Sequence, residues 1–450
     1  MEKLEGTIES LLVDDGKTED EIFELVNKIL IKSMISVSDN YQNEKIIKPL
    51  RVKCYDKDDT YFVVAADKGT ATFSDYANEI AYQAKYWLGD AFASGGQYGY
   101  DHKKIGITAK GAWQSVRWHF LKLGIDTDRD RFTVVGIGDM SGDVFGNGML
   151  LTRNICLLAA FDHRHIFLDP KPCGKSSFKE RGRLFKLPRS SWDDYDRNLI
   201  SKGGGVYART DKYIYLTDEV KAFLNTEEAM LTPNDLIKKI LSAEVDLIWN
   251  GGIGTYIRAS SETDAEAKDM ANDNCRIAAS SLKALVIAEG GNLGITQLGR
   301  IEYSLQGGLI NTDFIDNVGG VSCSDREVNI KIALAQLQKT SGMTMSERNK
   351  VMMAVQDEVE HMILNSIYMQ NFAISVGEMQ AEANLEIYLR YISFLERKGI
   401  SNPKIDKLPS KKEALSRQAL GKYLVRSELA ILYSHTKTLL VGSLIKGTLV

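Results

Sequence analysis

Gly136, Gly138 and Gly142 stand in the run Phe132-Thr-Val-Val-Gly-Ile-Gly-Asp-Met-Ser-Gly142, a GxGxxxG spacing. The chemistry such glycines support is the holding of a dinucleotide pyrophosphate against bare backbone where a strand turns into a helix. The apolar and β-branched residues before Gly136 predict a buried strand that stops at a tight turn. Gly136 and Gly138 then leave no side chain where the backbone approaches the pyrophosphate. Gly142, with Gly146, lets the following helix pack close to the sheet. A second apolar run, Ile155-Cys-Leu-Leu-Ala-Ala-Phe161, ends in Asp162, at the spacing of an acid that accepts hydrogen bonds from an adenosine ribose. A carboxylate there repels a 2′-phosphate, which favours NAD over NADP.

Two more predicted strands end in polar and glycine residues. Val245-Asp-Leu-Ile-Trp249 runs into Asn250-Gly251-Gly252, and Ala284-Leu-Val-Ile-Ala288 into Glu289-Gly-Gly-Asn292. Four strand ends of this kind at one sheet edge predict a ligand crevice. Asp67-Lys68-Gly69-Thr70 follows a further predicted strand, Tyr61-Phe-Val-Val-Ala-Ala66; by itself it reads as a solvated turn. Asp162-His163-Arg164-His165 carries two histidines two residues apart, but no other Cys or His cluster supports a metal, and a polar strand end is expected.

The elements that must position these residues follow from periodicity. From about 130 to 330, strands and helices alternate as in a parallel sheet, with Thr232-Pro233 marking one helix start. Earlier, Thr18-x-x-Glu21 opens a helix through Ile22, Leu25, Val26 and Ile29, and Ser74 caps a helix through Ala77, Ile80, Ala81 and Ala84. The glycine-rich stretch from Ala93 to Lys104 is a loop, with a domain hinge near it; the helical run after it ends near Gly124. Past 330, Thr344-x-x-Glu347 opens a helix with Val351, Val355, Val359, Met362 and Ile363 on one face, and Gly399 ends another. The expected fold is α/β: a Rossmann-type parallel-sheet domain over 106–330, a partial α/β domain over 1–105 before it, and an all-α region over 331–450.

Composition narrows the function. A chain of 450 residues, 44% hydrophobic and 26% charged, suits two or three globular domains. A net charge of −4 with interspersed signs offers no basic field for nucleic acid or anionic lipid. Five scattered cysteines without a CxxC pair imply reduced thiols and a cytoplasmic setting, and no secretory leader or membrane span is expected.

Together, several stretches resemble the large NAD-dependent glutamate dehydrogenases of the long-chain bacterial class. They are Val63 to Asp75, Trp87 to Gly96, Tyr100 to Thr108, Val134 to Gly148, Leu187-Pro-Arg-Ser-Ser-Trp192, Ile248 to Thr255, Glu289 to Gly294 and Asn317-Val-Gly-Gly-Val-Ser-Cys-Ser324. The resemblance is dense from about 35 to 335. It implies that 1–105 belongs to a glutamate-binding domain, that NAD is the cofactor, and that L-glutamate is deaminated to 2-oxoglutarate and ammonia.

By the same similarity, Asp67 matches the catalytic aspartate that shuttles protons. Thr108 would face the nicotinamide. Asn250, Gly251, Gly252 and Asn292 would line the cofactor, and Ser324 would meet the substrate side-chain carboxylate. The family pattern also has a Gly-Ala-Lys-Gly-Gly loop upstream of the Val63 match, and this sequence has none. The expectation is a catalytic-core segment working as a homo-oligomer or with a companion fragment that carries the lysine. The alternatives are an inactive NAD-binding or assembly subunit and a dehydrogenase for another amino acid.

Overall fold

The computed structural model describes residues 19–64 and 71–447, so Thr18, Asp67 and Lys68 lie outside the described residues. The chain forms two compact units: one joins the chain up to Ile105 with Val321–His361, the other joins Gly106–Gly320 with Met362–Val450. The helical region beyond 330 is therefore divided between the two units.

The second unit is built on a six-stranded sheet: β1 Phe132–Ile137, β2 Ile155–Phe161, β3 His165–Leu168, β4 Gly205–Ala208, β5 Leu247–Asn250 and β6 Val286–Glu289. Their spatial order is β6-β5-β1-β2-β3-β4. The β6-β5, β5-β1 and β1-β2 pairs are parallel, whereas β3 is antiparallel to both β2 and β4. The expected parallel sheet forms over β6, β5, β1 and β2, and β3 turns back against it for a geometric reason. Only Asp162, His163 and Arg164 separate β2 from β3, and a parallel crossover needs a dozen residues or more.

Both faces of the sheet are covered, so its strands are apolar on both sides. Phe132 and Val134 of β1, Leu247 and Trp249 of β5, and Val286 and Ala288 of β6 enter one core. Val135, Ile137, Ile248 and Ile287 enter the other. β2 breaks this alternation: Val134 pairs with Leu157 but Val135 pairs with Ala159, so Leu158 is an extra residue in a bulge. At the other end of β1, the Asp246 carboxylate accepts from Thr133 N and Oγ1, both at 2.7 Å. Asp246 N in turn donates to Thr133 Oγ1 at 2.9 Å, which pins the β1-β5 register.

Helix Ile107–Leu123 begins and ends at left-handed glycines, Gly106 (φ 68°) and Gly124 (φ 74°), where a side chain would be strained. Thr232 caps helix Pro233–Leu241 by accepting from Asp235 N, with Pro233 in its first turn. A third core gathers Leu385, Leu389, Ile392 and Leu395 of helix Leu385–Arg397 with Leu429, Ala430 and Leu432 of helix Arg426–Ile445.

In the first unit, helices Glu19–Val37 and Ala71–Gln83 supply Ile31, Ala77, Ile80 and Ala81 to a core that also holds Phe92 and Val328. The glycine-rich stretch lies against a buried ion pair, Glu327 with Lys331 at 2.7 Å. Glu327 accepts from Gly95 N at 2.8 Å and Tyr100 N at 3.1 Å, and Lys331 donates to Asp90 O at 3.1 Å.

Three local expectations are corrected. Of the run's described residues, 61–64, Tyr61 is 46% exposed and only Val64 makes a bridge, to Ala93, because no neighbouring strand among the described residues offers a ladder. Ser74 is buried inside helix Ala71–Gln83 rather than capping it. Thr344 and Glu347 do form a capping box, but the helix they open ends at Ala354, and a separate helix runs Gln356–Gln380. Val351 and Met362 are exposed, so the expected single apolar face does not form. Among the described residues, no helix is long and apolar enough to cross a membrane.

Candidate functional site

The strand order reverses at β1: the chain passes outward through β2, β3 and β4, then returns to β5 on the other side. The crevice beyond the carboxyl ends of β1 and β5 is therefore the topological switch point, where open α/β sheets bind ligands. Its walls are backbone. Gly251 N donates to Ile137 O at 2.9 Å and Gly291 N to Asn250 O at 2.8 Å. A Cβ on Gly252 would lie 3.1 Å from Ile137 O, and one on Gly291 would lie 2.2 Å from Gly252 O. Glycine is required here because three strand ends press against one another.

The glycines of the turn after β1 differ in what surrounds them. Cβ atoms on Gly136 and Gly138 would meet the Phe145 ring at 2.4 and 2.8 Å. Those two glycines make room for helix Asp143–Gly148, since a short strand-to-helix turn brings Phe145 directly under them. Gly138, at φ +132°, also has both backbone groups engaged. Its N–H donates to Phe161 O at 2.7 Å, and its carbonyl accepts from Trp192 Nε1 at 2.9 Å. Gly146 faces a helix and not the sheet: its Cβ position is 2.4 Å from the ring of Phe185, on helix Gly174–Lys186. Gly142 is the open glycine: its Cβ position meets only Asp139 O, at 3.4 Å.

Asp139 and Trp192 lie in recognised motifs, but no role was read for them in the sequence. The Asp139 carboxylate accepts from Ser141 N at 2.7 Å, Ser141 Oγ and Gly142 N at 3.2 Å, so it shapes the crest of the turn. Trp192 stacks on Phe167, meets Phe145 edge to face and fixes the Gly138 carbonyl. The Asp two residues before Ser141 and the Ser-Ser-Trp run were the available signals.

Asp162 ends β2 as expected and is 6% exposed. One carboxylate oxygen closes the turn into β3, accepting from Arg164 N at 2.7 Å and His165 N at 2.6 Å. The other has no partner among the described residues. Asn250 is 1% exposed, and neither its Oδ1 nor its Nδ2 has a partner among the described residues. Buried amides in this state are rare, and they mark a ligand site or strain. Asn292 is exposed and pairs with Asn317, which also reaches Gly291 O. Thr108, in the first turn of helix Ile107–Leu123, lies against the Gly319-Gly320 pair; a Cβ on Gly320 would sit 2.6 Å from its Oγ1.

Beneath the crevice, Glu289 at the end of β6 forms a buried two-pronged pair with Arg300, at 2.6 and 2.9 Å. Glu289 N donates to Asp316, whose other oxygen accepts from Asn311 Nδ2 at 2.9 Å. Burial pushes the Glu289 carboxyl up to about 7 against the pull of Arg300, and that of Asp316 up to about 6.

Thus Thr108, Gly136, Gly138, Gly142, Asp162, Asn250, Gly251, Gly252 and Asn292 all belong to the second unit, and Ser324 to the first, on helix Val318–Ser341. Asp67 lies outside the described residues. Among the described residues, no three His, Cys, Asp or Glu side chains group as metal ligands. The cradle of backbone at the switch point, the unpartnered Asn250 amide and the free Asp162 oxygen fit a dinucleotide.

A model of the family described as bacterial NAD-glutamate dehydrogenase, catalytic domain, matches residues 13–377. The NAD-specific glutamate dehydrogenase of Pseudomonas aeruginosa is 50% identical over 420 residues, which is 93% of this chain and 26% of that protein. That of Mycobacterium tuberculosis is 50% identical over 418 residues, 91% of this chain and 26% of that protein. The chain thus spans about a quarter of the length of the curated relatives it matches. Among solved structures, the leucine-bound hetero-hexameric glutamate dehydrogenase of Thermus thermophilus aligns at 12% identity and TM-score 0.44, over 81% of this chain and 65% of that one.

Proposed function

Because the chain belongs to the bacterial NAD-glutamate dehydrogenase catalytic-domain family, we propose that it binds NAD at the β1-β5 crevice and serves the oxidative deamination of L-glutamate. The balance is L-glutamate, NAD⁺ and water giving 2-oxoglutarate, ammonium, NADH and a proton. NAD, when bound, supplies the acceptor for the hydride that leaves Cα. The observation that carries the reading is the glycine-walled switch point with the buried, unpartnered amide of Asn250.

Each residue has a task in this reading. Gly251 and Gly252 present bare backbone to the cofactor, with Gly142 open at the turn crest and Gly136 and Gly138 setting that turn. The free oxygen of Asp162 accepts from ribose hydroxyls and disfavours a 2′-phosphate. Asn250, Asn292 and Thr108 orient the nicotinamide half. Ser324 donates to the substrate side-chain carboxylate. Asp67, by its motif match, takes the proton from the substrate ammonium and returns one to the departing amine.

Titrating the 450-residue chain with NAD while following its melting temperature tests the binding half. At a hundredfold excess over Kd, NAD adds about 2.7 kcal/mol of stability, and NADP adds less. No shift with NAD overturns the assignment. NADH formation from L-glutamate tests the catalytic half, and a homo-oligomer or a companion fragment is the proposed working form. NAD binding without turnover, alone or with such a fragment, favours the second reading, a non-catalytic NAD-binding subunit.

A further inference from the structure

In the second unit, a cleft of about 310 Å³ lies between the 304–310 segment, Glu378 and the 422–426 segment, and nothing in the proposed reaction uses it. Lys122, Lys422 and Arg426 line it, with Glu378 as the acid among them. Glu378 is already shared, one oxygen 3.0 Å from Lys122 Nζ and the other 3.3 Å from Arg426 Nη1. Lys422 has no carboxylate partner among the described residues. The Ser304 hydroxyl, also in the wall, is buried and has no partner among the described residues. Gly307, at φ +100°, has open space where a side chain would project, so the mouth stays clear.

We propose that this cleft binds a small dianion, a dicarboxylate or a phosphate monoester. Three cations against one carboxylate leave an excess of two positive charges in a space that fits a small metabolite. Arg426 is 5% exposed, so its charge is felt at low dielectric. Lys422 and Lys122 take the exposed end of the ligand, and the Ser304 hydroxyl donates to its inner end.

The cleft is wired to the crevice. Arg426 Nε donates to Asn311 Oδ1 at 2.8 Å, Asn311 Nδ2 donates to Asp316 at 2.9 Å, and Asp316 holds Glu289 N at 2.9 Å. An anion that draws on Arg426 or displaces Glu378 therefore acts on the end of β6. This second part rests on the NAD reading.

Calorimetric titration of the full chain with malonate and, separately, inorganic phosphate, against sodium chloride at matched ionic strength, tests both parts. Malonate, phosphate or both should bind saturably while chloride does not, and the stronger of the two identifies the ligand as carboxylate or phosphate. Lys422→Glu and Lys122→Ala should each keep the wild-type melting curve, because both side chains reach solvent, and weaken binding at least tenfold. Saturation should change the Kd for NAD at least threefold. No saturable binding, or equal binding by Lys422→Glu, overturns the site. Anion binding with an unmoved NAD affinity overturns the connection. Anion binding by a chain that never binds NAD sinks the NAD reading and leaves the cleft assignment standing.

Discussion

His119 is wholly buried on helix Ile107–Leu123, and its Nε2 has no partner among the described residues. Burial first, then the charges of Arg426 and Lys122, hold its imidazole well below the usual histidine range. The depressed group favours the fold fully above the unfolded-state value near 6.5, and that stability is lost as pH falls below it. Urea unfolding should show the native state weakening by about 1.4 kcal/mol between pH 7.5 and 5.5 from this residue, and His119→Gln should remove that component. Trp192→Phe keeps the stacking on Phe167 but leaves the Gly138 carbonyl without its donor; the expected loss is about 1–3 kcal/mol, read from the same denaturant curves. At this scale the sequence was partly legible. Asp162 is where its spacing put it, because an acid closing a strand end is a local feature. The packing of Phe145 under Gly136 and Gly138 was not legible, because a missing side chain looks the same in sequence whether it makes room for a ligand or for a ring.

Helix Asp143–Gly148 lies so close to the sheet that each of its contacts is a steric test. A Cβ on Gly148 would be 2.3 Å from the Trp249 ring. That ring is itself held edge to face by Trp113 at 5.7 Å, so it has little room to yield. Gly148→Ala should therefore cost about 1–3 kcal/mol through overpacking and lower the melting temperature. Gly142→Ala, at φ −69° and with only Asp139 O nearby, should leave it within a degree or two. Strands β1, β2, β5 and β6 of this sheet were legible because burial on both faces makes them continuous apolar runs, as in β2. The reversal of β3 and the Leu158 bulge were not, because both depend on the length of a connection and the pairing of a neighbour. The Tyr61 run failed for the converse reason: β-forming residues without an adjacent strand have nothing to bond to.

At the scale of the molecule, the first unit is closed by buried charge. Glu327→Ala would leave Lys331, almost fully enclosed, without its counter-ion and would free the amides of Gly95 and Tyr100. Loss of one partner of a buried pair costs about 3–5 kcal/mol. Hydrogen exchange should show those two amides and their unit opening first, ahead of the sheet. None of this was legible in advance, since a hinge near 105 marks where one unit pauses but not that the chain returns to it at Val321.

That return sets a timetable for biosynthesis. While the ribosome works through some two hundred intervening residues, the stretch bearing Ile31, Ala77 and Phe92 emerges without Val328 or the Glu327 clamp. At ~5–20 residues per second, the wait is on the order of ten to forty seconds. Greasy surface is then open to chaperones and proteases, so the yield of intact chain depends on how fast translation delivers the closing helix.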